Sequence, residues 1–181
     1  LLAIEGRYKA MIQGAKNKDW NVAAGTLENF MSQEKDPLEI SSDWLLQQPS
    51  ILAAVEKNKG RFYDSLMGIA NSMKPGESRS FSDYWDVLVE AEVFTEFYYA
   101  SGKSTLTSTG NFNLNAAGNG LITIRGSIQH SWYDRYDWHD GLSVTVPIFG
   151  TISDSDGNKM IEAGRAKEFD MRSTWLENVE W

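Results

Sequence analysis

The sequence predicts an α+β fold, in which a mainly helical stretch, residues 1–75, packs on a mainly antiparallel β-sheet drawn from residues 76–181. Two observations carry this. Apolar residues recur at three- and four-residue spacings as far as Met73 and at every second position from about Ser78, and Lys74-Pro75-Gly76 marks the change. A third is their order: helices come first and strands second, without the βαβ alternation of a parallel sheet. No Pro- or Gly-rich linker divides the 181 residues, so one folding unit is expected.

In the helical part, Trp20, Ala23, Ala24, Leu27, Phe30 and Met31 make one apolar stripe, so one face of that helix is buried. Ser42 or Asp43 can cap a short helix through Trp44-Leu45-Leu46. Pro49 suits the first turn of a longer helix running to about Met73, because its missing N–H would be unpaired there anyway. Ile51, Val55, Phe62, Leu66 and Ile69 outline its apolar side, and Gly60 is a candidate break.

The first strand is read from Val87, Val89, Ala91, Val93, Thr95, Phe97 and Tyr99, with Glu90, Glu92 and Glu96 on the opposite parity. A row of glutamates can be catalytic or metal-binding, but a solvated outer face needs no further assumption. Ser104–Thr109 and Asn111–Asn115 follow around Gly110, and Gly118-Asn119-Gly120 makes a hairpin turn into Leu121–Ser131. Ile122, Ile124, Ile128, His130 and Trp132 share one face, which points His130 into the core, while Gly126 interrupts the row at a bulge or close approach. A short helix from about Asp156 to Ala163 stops at Gly164, and Phe169, Met171, Ser173 and Trp175 give a last strand.

Composition removes several function classes. The net charge of −8 is uneven: residues 1–75 carry nine side chains of each sign, leaving eight basic against sixteen acidic in 76–181. Such a surface repels phosphate backbones and anionic lipid, so no nucleic-acid partner is expected. No apolar run is long enough for a spanning helix, and stable membrane insertion is not expected either. The absence of cysteine excludes disulfides, thiolate metal sites and a cysteine nucleophile. No Gly-x-Ser-x-Gly elbow, Walker loop or dinucleotide fingerprint occurs. Leu at position 1 suggests a fragment of a larger polypeptide.

The densest chemistry lies in Ser131-Trp132-Tyr133-Asp134-Arg135-Tyr136-Asp137-Trp138-His139-Asp140. If a strand continues through it, Trp132, Asp134, Tyr136 and Trp138 share one face and Arg135, Asp137 and His139 the other. An Asp beside a His can orient the ring and support a general acid or base near neutral pH, and Arg can stabilise an oxyanion or a phosphate. Asp134, Arg135, Asp137, His139 and Asp140 are therefore the catalytic candidates. The structural alternative pairs Arg135 with Asp137 or Asp140. Trp132, Tyr133, Tyr136 and Trp138 can stack on sugar rings or anchor a protein, or simply pack the sheet.

Asp134, Asp137, His139 and Asp140 are also metal donors, but no established metal-ligand spacing is present, and both metal and cofactor stay unassigned. In Asp154-Ser155-Asp156-Gly157-Asn158 the glycine falls at the fourth position of a calcium loop instead of the sixth, which favours a turn and helix cap. His130 can pair catalytically with His139, although a core histidine bonded to a backbone carbonyl fits its apolar neighbours better.

The segments Phe97-Tyr98-Tyr99-Ala100-Ser101-Gly102, Ser108-Thr109-Gly110-Asn111-Phe112, Asp134-Arg135-Tyr136-Asp137-Trp138-His139 and Ala166-Lys167-Glu168-Phe169-Asp170 resemble C-terminal segments of some bacterial secreted polymorphic toxins and effectors. The resemblance covers about the last 85 residues. It implies the context of a secreted or delivered toxin-type domain, with an immunity protein as an expected partner; taken with the Asp134–Asp140 cluster, the expectation is a hydrolase acting on a competitor cell or its envelope. The competing readings are a non-enzymatic module that binds a glycan or a protein through the same aromatics, and a pore-forming domain, against which the acidic second part and the lack of a long apolar run both argue.

Overall fold

A computed structural model describes residues 1–138, 143–146 and 150–181; of 143–146 and 150 it describes the backbone. The elements are α1 (Leu2–Asn17), α2 (Asn21–Ser32), β1 (Leu38–Glu39), α3 (Ser42–Leu45), α4 (Pro49–Ala70), β2 (Ser78–Glu90), α5 (Glu96–Ala100), β3 (Lys103–Ala116), β4 (Ile122–Tyr136), β5 (Ser143–Val146), β6 (Gly150–Ser153), α6 (Asp154–Glu162) and β7 (Phe169–Glu180). Helices and a five-stranded sheet of order β1-β7-β4-β3-β2 make this an α+β protein, with β5 and β6 pairing as a separate ribbon. The sheet is mixed, because β1 runs parallel to β7 through Leu38↔Met171 and Glu39↔Arg172. β1 is the one strand of this sheet that lies before residue 76, outside the stretch expected to supply it; a two-residue strand carries no readable period.

The chain divides into two compact units, Leu1–Ile40 with Glu90–Lys103 and Asp134–Arg172, and Ser41–Val89 with Ser104–Tyr133 and Ser173–Trp181. In the second, Pro49 opens α4 at its first turn as expected, and Ser41 rather than Ser42 or Asp43 caps α3 by accepting from the Trp44 N–H. Gly60 does not break α4, which turns Ile51, Val55, Phe62 and Leu66 inward with the polar Asn58 among them. Phe62, Leu66 and Ala70 pack on Phe112, Leu114, Ile124 and Ile128 of the sheet. Burial of each large side chain contributes about 1.5–3 kcal/mol.

β3 and β4 pair without interruption from Thr105↔Tyr133 to Ala116↔Ile122. Gly126 is therefore a close approach and not a bulge. A Cβ there would sit 2.2 Å from the Asn111 carbonyl oxygen and 2.6 Å from the Phe112 ring. The outer side of β2 and β3 is a polar ladder, in which the hydroxyls of Ser78, Ser80 and Ser82 donate to the side-chain oxygens of Asn115, Asn113 and Asn111.

In the first unit α1 and α2 bury Tyr8, Met11, Ala24, Leu27 and Phe30. α6 matches the predicted helix: Ser153 and Asp156 form a reciprocal capping box, and Gly164 follows in the left-handed region at φ +68°. The Asp154–Asn158 segment is accordingly a helix start. The strand expected through Tyr99 is corrected, since β2 ends at Glu90 and 96–100 is helical. Phe94 takes φ +67°, and the Thr95 hydroxyl accepts from the Tyr98 N–H at 3.3 Å to cap α5. Glu90 and Glu92 are exposed as the solvated reading has it. Glu96 is different: its carboxylate accepts the Val22 and Ala23 N–H groups at 3.1 and 3.4 Å, completing the N-terminus of α2.

Candidate functional site

The division into units falls inside the Ser131–Asp140 segment, between Tyr133 and Asp134. β4 carries the alternation through it: Trp132 is buried, Tyr133 exposed, Asp134 half-buried, Arg135 exposed and Tyr136 half-buried. The strand expected to continue does so as far as Tyr136. His139 and Asp140 lie outside the described residues.

Asp134 is the chemically distinctive side chain. One carboxylate oxygen accepts the Ser101 hydroxyl at 2.5 Å and the other accepts the Arg135 N–H at 2.8 Å. Burial pushes its carboxyl up to about 7, and the neighbouring Asp137 carboxylate adds to that rise against the lowering effect of the two hydrogen bonds. Near neutral pH both protonation states of Asp134 are populated, which is what a general acid or base requires.

Arg135 donates to the Asp170 carboxylate at 2.9 Å and lies 3.6 Å from Glu168. These two partners come from the segment leading into and opening β7; of the local partners the sequence suggested, Asp140 lies outside the described residues. Glu168 also accepts the Trp138 N–H at 3.3 Å, and Asp36 accepts the Asp170 N–H at 3.0 Å. The cation is thus held in a largely acidic frame.

Behind this edge the first unit is aromatic. Tyr136 stacks on Phe169 with centroids 5.0 Å apart and 13° between planes, its hydroxyl bonded to Thr26, and burial raises its phenol above the ordinary range. Trp138 packs against Gly157, where a Cβ would lie 2.6 Å from the indole. Tyr136 and Trp138, with Trp20, Tyr99, Lys18 and apolar side chains of α1 and α2, line a pocket of about 80 Å³. Lys18 Nζ sits 4.9 Å from the Trp20 ring centroid.

The predicted ligand-binding set is therefore divided. Tyr136 and Trp138 line this pocket, while in the other unit Trp132 is inside the core with its indole N–H donating to Ser104 at 2.8 Å, and Tyr133 is 49% exposed on the opposite face. His130 is fully buried as expected, but its partners are the Ser108 hydroxyl and the Glu177 carboxylate and not a backbone carbonyl. No group of three or more His, Asp or Glu side chains among the described residues is placed to hold a metal ion. Ser101, Glu168 and Asp170 are neighbours of Asp134 and Arg135 that residue spacing missed, although two of the segments carrying the toxin resemblance contain them.

No protein-family model and no curated protein matches this chain. Among solved structures it is similar to PaeM, a colicin M-like bacteriocin produced by Pseudomonas aeruginosa, with a TM-score of 0.47 and 14% identity over 88% of this chain and 50% of that one. The chain thus spans half the length of that protein.

Proposed function

We propose that this chain is a toxin- or effector-type domain of a bacterial secreted or delivered protein, with a hydrolytic centre at Asp134 on the edge of its first unit. The observation that carries the reading is the Asp134 carboxyl, held by Ser101 and brought to about 7 by burial. In its ionised form it accepts a proton from an attacking water, and in its protonated form it supplies one to a leaving group. Asp137 is the nearby second carboxylate, and Arg135 offers a guanidinium to negative charge that develops on the substrate. His139 and Asp140 belong to the proposed centre through their place in the sequence segment. The aromatic pocket of Tyr136 and Trp138 supplies contact area for the non-reacting part of the substrate.

The toxin context rests on the sequence resemblance, three of whose four segments place residues at or beside Asp134 and Arg135. An immunity protein that neutralises such an acidic domain is expected to present basic residues. No described helix is long and apolar enough to cross a membrane.

The test is inducible expression in bacteria, with and without an added export signal, of the wild type and of Asp134→Asn and Asp137→Ala variants shown to fold. Growth arrest by the wild type, relieved in Asp134→Asn by a loss of about 10²- to 10⁴-fold in activity, is the expected result. Full toxicity of a folded Asp134→Asn protein rejects the assigned centre. Harmless wild type in both compartments, together with capture of a glycan or a protein, moves the reading to a binding module.

A further inference from the structure

His130 joins five elements of the second unit through one imidazole. Its Nε2 lies 3.0 Å from the Glu177 carboxylate on β7, and its Nδ1 lies 2.8 Å from the Ser108 hydroxyl on β3. Asn58 on α4 donates to that hydroxyl oxygen at 2.9 Å and to the Trp85 carbonyl of β2 at 3.2 Å. Lys59, the next residue of α4, donates to the other Glu177 oxygen at 2.7 Å. His130, Ser108 and Asn58 are all fully buried.

The donor inventory fixes where each proton sits. Glu177 as a carboxylate only accepts, so His130 Nε2 carries a hydrogen. Ser108 Oγ already accepts from Asn58, and its single proton goes to Nδ1, which in that tautomer is a lone pair. Every polar group of this relay is then satisfied, but only for a neutral ring. A proton added at Nδ1 sets two donors against each other. The Ser108 hydroxyl must turn away and find another acceptor in a buried site, while a cation has been placed in the core.

Ser108-His130-Glu177 has the residue types of a hydrolytic triad, yet the hydroxyl is 0% exposed, so no substrate reaches it. We propose instead that this relay is an acid-sensitive latch between α4 and the sheet: closed while His130 is neutral, and loosened when His130 takes a proton.

The charged groups around the ring set the sign. Glu177 on β7 favours protonation, and Glu56 on α4 lies 3.8 Å from Lys59. Lys59 opposes protonation, and Arg61, also on α4, donates to the Asn58 side-chain oxygen at 3.3 Å. Burial outweighs the Glu177 carboxylate and holds His130 below its ordinary value of 6.5. The unfolded chain therefore takes up a proton that the folded chain refuses. This part of the stability is fully present above about pH 6.5 and drains as pH falls from there toward the lower folded value.

The experiment compares reversible denaturant unfolding of the full chain and of His130→Gln between pH 7.5 and 5.5. Glutamine can donate to Glu177 and accept from Ser108 without titrating. Contributions from Asp134 and the other groups that do not touch His130 are common to both proteins and cancel, and Glu177, whose carboxyl is held below its ordinary value, stays ionised across this window. The wild type is expected to lose stability relative to His130→Gln by up to about tenfold in the unfolding constant per pH unit below 6.5, about 1.4 kcal/mol per unit. Hydrogen exchange of the α4 amides, corrected for intrinsic rates, should accelerate in the wild type alone. Parallel stability curves overturn the latch. Should the variant not fold, NMR of the wild-type ring decides, with His139→Asn used for assignment. An Nε2–H tautomer that resists titration to well below 6.5 supports the latch, and a ring titrating at or above 6.5 overturns it.

Discussion

Ser101 and Asp134, 33 residues apart in sequence, are joined by a hydroxyl-to-carboxylate hydrogen bond of 2.5 Å that opposes the effect of burial on the acid. A hydrogen bond to a charged group is worth about 1.5–3 kcal/mol, or about one to two pH units. Ser101→Ala should therefore raise the Asp134 carboxyl further, moving the acid limb of a pH–activity profile upward by that amount. A ¹³C titration of the carboxyl in both proteins measures the same displacement directly, and an unchanged midpoint rejects the positioning role of Ser101.

Asp134 also makes a prediction about stability. Its folded value of about 7 lies above the ordinary 3.8, so between those values the folded chain holds a proton that the unfolded chain has released. Its contribution is fully favourable below about pH 3.8 and is lost as pH rises through 7. Asp134→Asn keeps the shape and an acceptor for Ser101 without the buried charge. At pH 8 it should be more stable than the wild type by on the order of 2–4 kcal/mol, and the advantage should vanish near pH 3.5. Denaturant midpoints at the two pH values check this. A gain in stability coupled to a loss of activity is the behaviour of a group held strained for chemistry.

Much of the fold was legible because two periods are strong signals. The stripe of Ile51, Val55, Phe62 and Leu66 and the shared face of Ile124, Ile128, His130 and Trp132 both follow from burial on one side only. Val93, Thr95, Phe97 and Tyr99 keep a period of two by accident, which extends the expected strand beyond its end at Glu90. The local signal that overrides it is Thr95 followed by Glu96, a cap and an acidic first turn. The Asp134 segment was visible from residue types, but Ser101, Glu168 and Asp170 reach it by tertiary folding, which spacing along one strand does not encode. The same holds for Glu177 at His130.

Arg135 separates structural from chemical value. Its pairs with Asp170 and Glu168 are at the surface, where exposed ion pairs contribute about 0.2–1 kcal/mol. Arg135→Met should lower stability by no more than that, yet should reduce activity by far more if the guanidinium meets charge developing on the substrate. Lysine at this position keeps the charge but loses the planar fork, so Arg135→Lys should recover only part of the loss. Thermal midpoints and rates, measured on the same preparations, distinguish the two roles. Equal, small effects on both would make Arg135 a surface ion pair.

Two glycines of the second unit should respond to the same substitution with opposite signs. Gly60 lies in the interior of α4 with nothing within 4 Å of a Cβ built on it. Alanine there removes backbone freedom from the unfolded chain at no steric cost, and Gly60→Ala should stabilise by about 0.5–1 kcal/mol. Gly126 faces Phe112 across the β3–β4 pair, and a Cβ would meet the Asn111 carbonyl oxygen at 2.2 Å, an atom fixed in the ladder itself. Relief requires both strands to separate locally and the Phe112 ring to leave Phe62, with which it packs at 5.4 Å. Gly126→Ala should cost at least the 1–3 kcal/mol typical of overpacking. Urea unfolding of the two variants beside the wild type tests the pair together. A neutral Gly126→Ala would mean that the two strands do not approach as closely as the uninterrupted register requires.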